Sequence, residues 1–221
     1  NMTLYATNQG SVAGSASAYN QTAGTVTVSP GAGGSQWVAG GYGYGYFNLT
    51  GGTYNISGTG NRFTVSTSGN GVGVVNVGGN AILDNTGAEW FLNYGHASIN
   101  VTDTGLIDHT GSSSQFGLLL NITVPNVTSA LNLAGGTVKT GDQAIRLGNS
   151  TSAGNNPGSQ VFVNLAKGTL STGANIQTSL PANADAFIYF TGAGGTLKAS
   201  NNLTSFLPAA IQGATINAVL Y

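Results

Sequence analysis

The chain has no cysteine among its 221 residues, so no disulfide framework and no thiolate metal site can form. Charge is almost as scarce. Asp, Glu, Lys and Arg make up 5% of the residues, against about 25% in an average soluble domain. Five basic and six acidic side chains leave a formal charge of −1. That excludes the basic face with which a protein displaces counterions from nucleic acid. No run of 18 or more apolar residues occurs, so no segment spans a bilayer as a helix. Methionine appears once and strong helix formers are few, which argues against helical architecture. No signal peptide is visible in the sequence, and the chain is expected to be a mature or excised piece.

What is abundant is glycine, at 36 positions, together with Thr, Ser and Asn. Hydrophobic residues still reach 40%, spread evenly, which is enough for a core. The composition is that of an all-β protein rich in turns, and an extracellular one.

Repetition orders this material. An apolar–Asn–apolar triplet leads into a turn of small residues and then into a second short alternating segment. Tyr19-Asn20-Gln21, Phe47-Asn48-Leu49, Val75-Asn76-Val77, Ile99-Asn100-Val101, Leu131-Asn132-Leu133 and Val163-Asn164-Leu165 are the copies. A degenerate seventh runs from Ile188-Tyr189-Phe190 to Gly194-Gly195-Thr196-Leu197. The asparagines are separated by 28, 28, 24, 32 and 32 residues. A third apolar element recurs between copies, as in Gln36-Trp37-Val38, Arg62-Phe63-Thr64-Val65, Glu89-Trp90-Phe91-Leu92, Gly117-Leu118-Leu119-Leu120 and Ala144-Ile145-Arg146-Leu147. Strand, corner, strand, corner, strand, loop is the phrase of a solenoid. The expected fold is a right-handed parallel β-helix of about seven to eight coils, some 35–40 Å long at ~4.8 Å per coil.

Alternation along each triplet sends the two apolar side chains into the bore and the Asn to the opposite face. Successive asparagines then lie above one another, and Asn48, Asn76, Asn100, Asn132 and Asn164 are expected to form a hydrogen-bonded ladder. Gly51-Gly52 and Gly135-Gly136 supply positive φ at corners. Thr53, Thr137, Thr169 and Thr196 open the following strands, where β-branching suits the pleat. Residues 1–18, with the strand-like Met2-Thr3-Leu4-Tyr5, form an N-terminal docking segment, residues 19–200 the helix, and residues 201–221 an apolar C-terminal coil or docking segment. Neither end carries a charged cap, so the ends are expected to dock on further coils of a longer chain or on another subunit.

Leu131-Asn132-Leu133-Ala134-Gly135-Gly136-Thr137-Val138 and residues 188–207, IYFTGAGGTLKASNNLTSFL, carry a family likeness. The chain resembles the passenger regions of bacterial surface proteins with autotransporter-associated β-strand repeats. The resemblance implies a secreted β-helix in a long, low-charge surface protein of a Gram-negative or related bacterium. It transfers no catalytic residue, and no translocator barrel is recognisable in the sequence.

Asp84 and Asp108 hold equivalent places in adjacent copies, with Asp103, His96 and His109 nearby along the chain. Paired carboxylates serve glycoside hydrolysis, and carboxylates bind Ca²⁺. The alternative is that they are solvated corner residues. A lyase would also want basic partners, yet Arg62, Lys139, Arg146, Lys167 and Lys198 are scattered, and Lys139 and Arg146 flank Asp142 as a surface ion pair. Alternation puts Tyr42, Tyr44 and Tyr46 on one face with glycines behind them, a row able to stack on sugar rings or on a partner. Trp37 and Trp90 fall in the third strand and are expected in the core. Gly31-Ala32-Gly33-Gly34 is a corner, since no helix follows to make a phosphate cradle. Nine Asn-x-Ser/Thr sites begin at Asn1, Asn20, Asn48, Asn55, Asn100, Asn121, Asn126, Asn149 and Asn202, several of them ladder positions.

No catalytic, cofactor or metal residue is assigned. The expected role is non-enzymatic: a structural element of an extracellular or cell-surface fibre that self-associates and adheres, with polysaccharide as a partner and no nucleic acid. The alternatives are a polysaccharide-active enzyme using Asp84, Asp108 and Asp103, or a carbohydrate-binding module using Tyr42, Tyr44 and Tyr46.

Overall fold

The computed structural model describes residues 14–28, 36–57, 61–66, 69–85, 88–92, 95–110, 116–120, 125–148, 158–178, 184–192, 194–199 and 201. Met2–Tyr5, Gly31–Gly34 and nearly all of the C-terminal segment fall outside these residues. All the regular structure among them is strand.

Each of the first six described coils contributes one strand to each of three parallel sheets and the seventh contributes to two, so neighbours within a sheet are three strands apart in sequence. The first sheet holds the triplets: β1 (Ala16–Gln21), β4 (Tyr44–Leu49), β7 (Val72–Val77), β10 (His96–Val101), β13 (Thr128–Leu133), β16 (Gln160–Leu165) and β19 (Asp185–Phe190). The second follows the corner: β2 (Thr25–Val28), β5 (Thr53–Ile56), β8 (Ile82–Asn85), β11 (Leu106–Asp108), β14 (Thr137–Lys139), β17 (Thr169–Thr172) and β20 (Thr196–Ala199). The third is β3 (Gln36–Gly40), β6 (Asn61–Ser66), β9 (Ala88–Leu92), β12 (Phe116–Leu120), β15 (Ala144–Leu147) and β18 (Ile176–Thr178). The parallel solenoid read from the repeat is therefore the fold. β1 starts at Ala16, inside the segment assigned to N-terminal docking, and β18 is a third-sheet strand that the sequence pattern did not reveal.

The bore is built from rows. Tyr19, Phe47, Val75, Ile99, Leu131, Val163 and Ile188 align across the first sheet. Tyr54, Leu83, Ile107, Val138 and Leu170 align across the second. All but Tyr19 are buried. Identical registers let each aliphatic side chain meet its equivalents above and below, which fills the bore at interior density. Trp37 and Trp90 share a third-sheet row with Phe63, Ile145 and Ile176. Those three are buried, while the two tryptophan side chains lie outside what is described.

Aromatic rings close the N-terminal end of the described bore. Tyr19 stacks on Phe47 with centroids 4.8 Å apart, and Tyr54 meets Phe47 edge-on at 4.9 Å. Gln21 takes the inner place that Leu49 holds in the next coil, and its amide Nε2 donates to the Gly24 and Thr53 carbonyls at 3.0 and 3.1 Å. A polar side chain is tolerated inside the bore because the corner backbone satisfies it.

Glycine acts in two distinct ways. At the corners only the second member of each pair, Gly52 at φ 77° and Gly136 at φ 63°, is left-handed. The first member is there for space: a Cβ on Gly51 would lie 2.3 Å from the Thr22 carbonyl oxygen. The expected positive φ of each Gly-Gly corner thus falls on its second member. Where the third sheet passes beneath the first, a Cβ on Gly45 would fall 1.1 Å from the Ala39 oxygen. The inward glycines between the tyrosines thus bring two backbones together.

Candidate functional site

The outer face of the first sheet carries the asparagine ladder. Each amide Nδ2 donates to the Oδ1 of the preceding coil: Asn48 to Asn20 at 2.8 Å, Asn76 to Asn48, Asn100 to Asn76 at 2.8 Å, Asn132 to Asn100 at 2.8 Å and Asn164 to Asn132 at 2.6 Å. The five expected residues all take part, and Asn20 extends the ladder by one coil. Tyr189 occupies the next position, in register with Asn164, and ends it. Amides suit this place because each offers a donor and an acceptor one strand spacing apart, ~4.8 Å, and chained bonds polarise one another.

The same face carries aromatic rings. Tyr42, Tyr44 and Tyr46 are exposed by 49, 48 and 43%, with Gly43 and Gly45 buried between them. Only Tyr44 and Tyr46 belong to β4; Tyr42 precedes it in a bend. Four strands on, Phe162, Phe187 and Tyr189 form a nearly parallel stack, with centroid separations of 5.3 and 5.6 Å along the series. Sequence reading missed this second cluster, because Phe162 is 25 residues from Phe187 along the chain and meets it only through register.

The acidic residues do not form one group. Asp84 and Asp108 are register partners on the outer face of the second sheet, as expected. Asp103 sits instead at the corner between the first and second sheets, at φ 54°. Its Oδ2 accepts from the Gly79 N–H at 3.0 Å and the Thr102 hydroxyl at 3.1 Å, which lowers its pKa. It holds a left-handed corner, a role that glycine fills elsewhere. His96 lies on the first sheet, where Nδ1 accepts from the Thr128 N–H at 3.3 Å. His109 points into the bore and is 1% exposed. Alternation separates it from its neighbour Asp108, so adjacency in sequence was misleading.

Lys139 also differs from expectation. Its Nζ lies 3.7 Å from Asp108 Oδ2, and β14 aligns the two residues. Asp142 instead accepts from Asn201 Nδ2 at 2.9 Å. The outer row thus runs Asn55, Asp84, Asp108, Lys139. Burial first, and the Asp108 charge second, raise the pKa of Asp84. Two carboxylates one strand apart, one of them with a raised pKa, are the elements of a retaining glycosidase. Here one is paired with a lysine, on a half-exposed strand surface.

Inside the second corner, Asn85, His109, Thr140 and Thr172 make a buried polar line. The Thr140 and Thr172 hydroxyls both donate to the Gln143 carbonyl at 2.9 Å. Burial lowers the His109 pKa to about 4, offset in part by the Asn85 backbone and Asp108. Among the described residues no group of three or more His, Asp or Glu side chains is arranged to hold a metal ion. No described helix is long and apolar enough to cross a membrane.

No family model, curated protein or solved structure matches the chain.

Proposed function

We propose that this chain is a non-enzymatic structural element of an extracellular fibre, of the kind that bacterial surface and matrix proteins build from stacked β-coils. The unbroken ladder from Asn20 to Asn164 carries this reading. Like-on-like stacking holds the coils without charge, and a rod with 5% charged residues meets little repulsion when rods pack laterally or end to end. The repeat's resemblance to passenger-type β-helices is what supports a cell-surface setting for such an element.

Sedimentation velocity over a wide concentration range, with negative-stain micrographs of the native material, tests the reading. Elongated assemblies that grow with concentration are expected. A rod that stays monomeric at high concentration removes self-association.

The Asp84–Asp108 pair supports a second reading, polysaccharide hydrolysis. Turnover that disappears in Asp84→Asn and Asp108→Asn would replace the structural role with an enzymatic one.

A further inference from the structure

The outer face of the first sheet has a shape that neither the ladder nor the tyrosine row explains alone. Register aligns Tyr46, Val74, Ser98, Ala130, Phe162 and Phe187 in one row along the rod. Large rings stand at both ends and small side chains lie between them. Tyr46 and Phe162 are four strand spacings apart, ~19 Å. Phe162 is stacked by Phe187 on one side at 5.3 Å. On the other side its neighbour is Ala130, and among the described residues no ring covers that face.

The asparagine row runs alongside, about two residues or ~7 Å away. Its amides are not exhausted by the ladder. An amide offers two N–H donors, and Asn76 uses one, toward Asn48. Asn164 likewise uses one, toward Asn132, and its Oδ1 accepts nothing among the described residues. Both project beside the small-residue stretch, near its two ends.

Charge decides what fits. No Lys, Arg or Glu lies in the described strands of this sheet, and Asp185 is its only carboxylate, in the last strand and the outermost row. His96 and Asp185 both belong to that outer row, away from the asparagines. The stretch between the rings is therefore formally neutral. Within the sheet an anionic ligand would find no formal counter-charge, and a cation only Asp185, two residues before Phe187. Beyond the sheet, Lys167 stands at the corner three residues past Asn164, where it helps lower the pKa of Asp103.

We propose that this stretch is a binding trough for a short segment of neutral polysaccharide. Sugar rings stack against Tyr46 and Phe162, and the free amide groups of Asn76 and Asn164 bond their hydroxyls. Stacking of apolar sugar faces on aromatic rings combined with amide bonding to hydroxyls is the chemistry of neutral-glycan recognition. A trough of ~19 Å accommodates a tetrasaccharide. The proposal does not rest on fibre formation, and it uses residues of two aromatic clusters rather than the tyrosines alone.

Calorimetric titration of the full chain with cellotetraose, chitotetraose and mannotetraose tests it, with tetragalacturonate as the anionic control. Binding of at least one neutral tetrasaccharide is expected, weakened about tenfold by Tyr46→Ser and by Ala130→Trp, which fills the trough without removing a ring. Lys198→Gln, on the exposed face of β20 in the second sheet, should leave it unchanged, and circular dichroism checks that each variant keeps its strands. Absence of binding to all three neutral sugars overturns the proposal. So does binding indifferent to both variants, or tighter binding of tetragalacturonate. Dimerisation that Ala130→Trp abolishes would make this face a self-interface and overturn it too. Loss of fibre assembly with binding intact would count against the structural reading alone.

Discussion

Asn132 Nδ2 donates to Asn100 Oδ1 at 2.8 Å and to Ser98 Oγ at 3.1 Å, joining residues 32 and 34 apart in the chain. Asn100 makes three side-chain bonds, since its Oδ1 also accepts from Ser98 Oγ at 3.1 Å and its Nδ2 reaches Asn76. Asn100→Ala should cost about 2–3 kcal/mol in urea denaturation, because it leaves several half-buried partners unmatched. Asn20→Ala, at the exposed end with one bond, should cost about 0.5–1 kcal/mol. Equal losses at the two positions would show that the amides do not act as a connected chain.

His109 predicts an acid limit. Its folded pKa of about 4 lies below the ordinary 6.5, so the unfolded chain takes up a proton that the folded one refuses. The stabilisation is fully present above pH 6.5 and falls as pH drops toward 4, by about 1.4 kcal/mol per unit and about 3 kcal/mol in all. His109→Thr continues the Thr140–Thr172 line and should flatten this part of a stability-versus-pH curve. A variant with the wild-type slope would locate the titrating group elsewhere.

Tyr54 is 1% exposed and its hydroxyl has no hydrogen-bond partner among the described residues. Burial raises its pKa and keeps it neutral. Tyr54→Phe retains the edge-on contact with Phe47 and removes an unsatisfied donor, so the midpoint should rise, for a gain of about 1 kcal/mol in unfolding free energy. A lower midpoint would mean that the hydroxyl has a partner in the folded chain.

Asp84 opposes Asp108 directly. Like charges facing each other across strands destabilise a sheet, and Asp84→Asn should therefore add about 0.5 kcal/mol at pH 7. Because the Asp84 pKa is raised, its folded form binds the proton more tightly. Its contribution is fullest below the ordinary carboxylate pKa and is lost as pH rises through the folded value. The gain from Asn should thus shrink in acid.

Gly45→Ala should be the most damaging of the small changes. The added Cβ would sit 1.1 Å from the Ala39 oxygen, forcing β3 away from β4 at about 3 kcal/mol or more. Hydrogen exchange would show the loss first in residues 36–49.

Much of the architecture was legible in the chain. A triplet of fixed phrase returning every 24 to 32 residues specifies a coil, and alternation within it assigns bore and surface. Copies with strong aliphatic triplets, such as Leu131-Asn132-Leu133, were recognisable by eye. β18 was not, because Ile176-Gln177-Thr178 carries a single inward apolar residue. The acidic group was legible only where sequence equivalence coincided with register, at Asp84 and Asp108. Asp103 and His109, five residues and one residue from Asp108, point to a different corner and to the interior.

Periodicity and composition alone therefore determined the parallel coil, the inward aliphatic rows and the asparagine ladder, since each follows from a local pattern repeated at coil length. Stacking decided the rest. Only when coils are laid on one another do Lys139 and Asp108 become neighbours, and only then do Phe162, Phe187 and Tyr189 close into one stack. The physical reason is distance. Residues 24 to 32 apart in the chain stand one strand spacing apart along the rod, ~4.8 Å, and loop lengths that differ from coil to coil hide that alignment from the sequence.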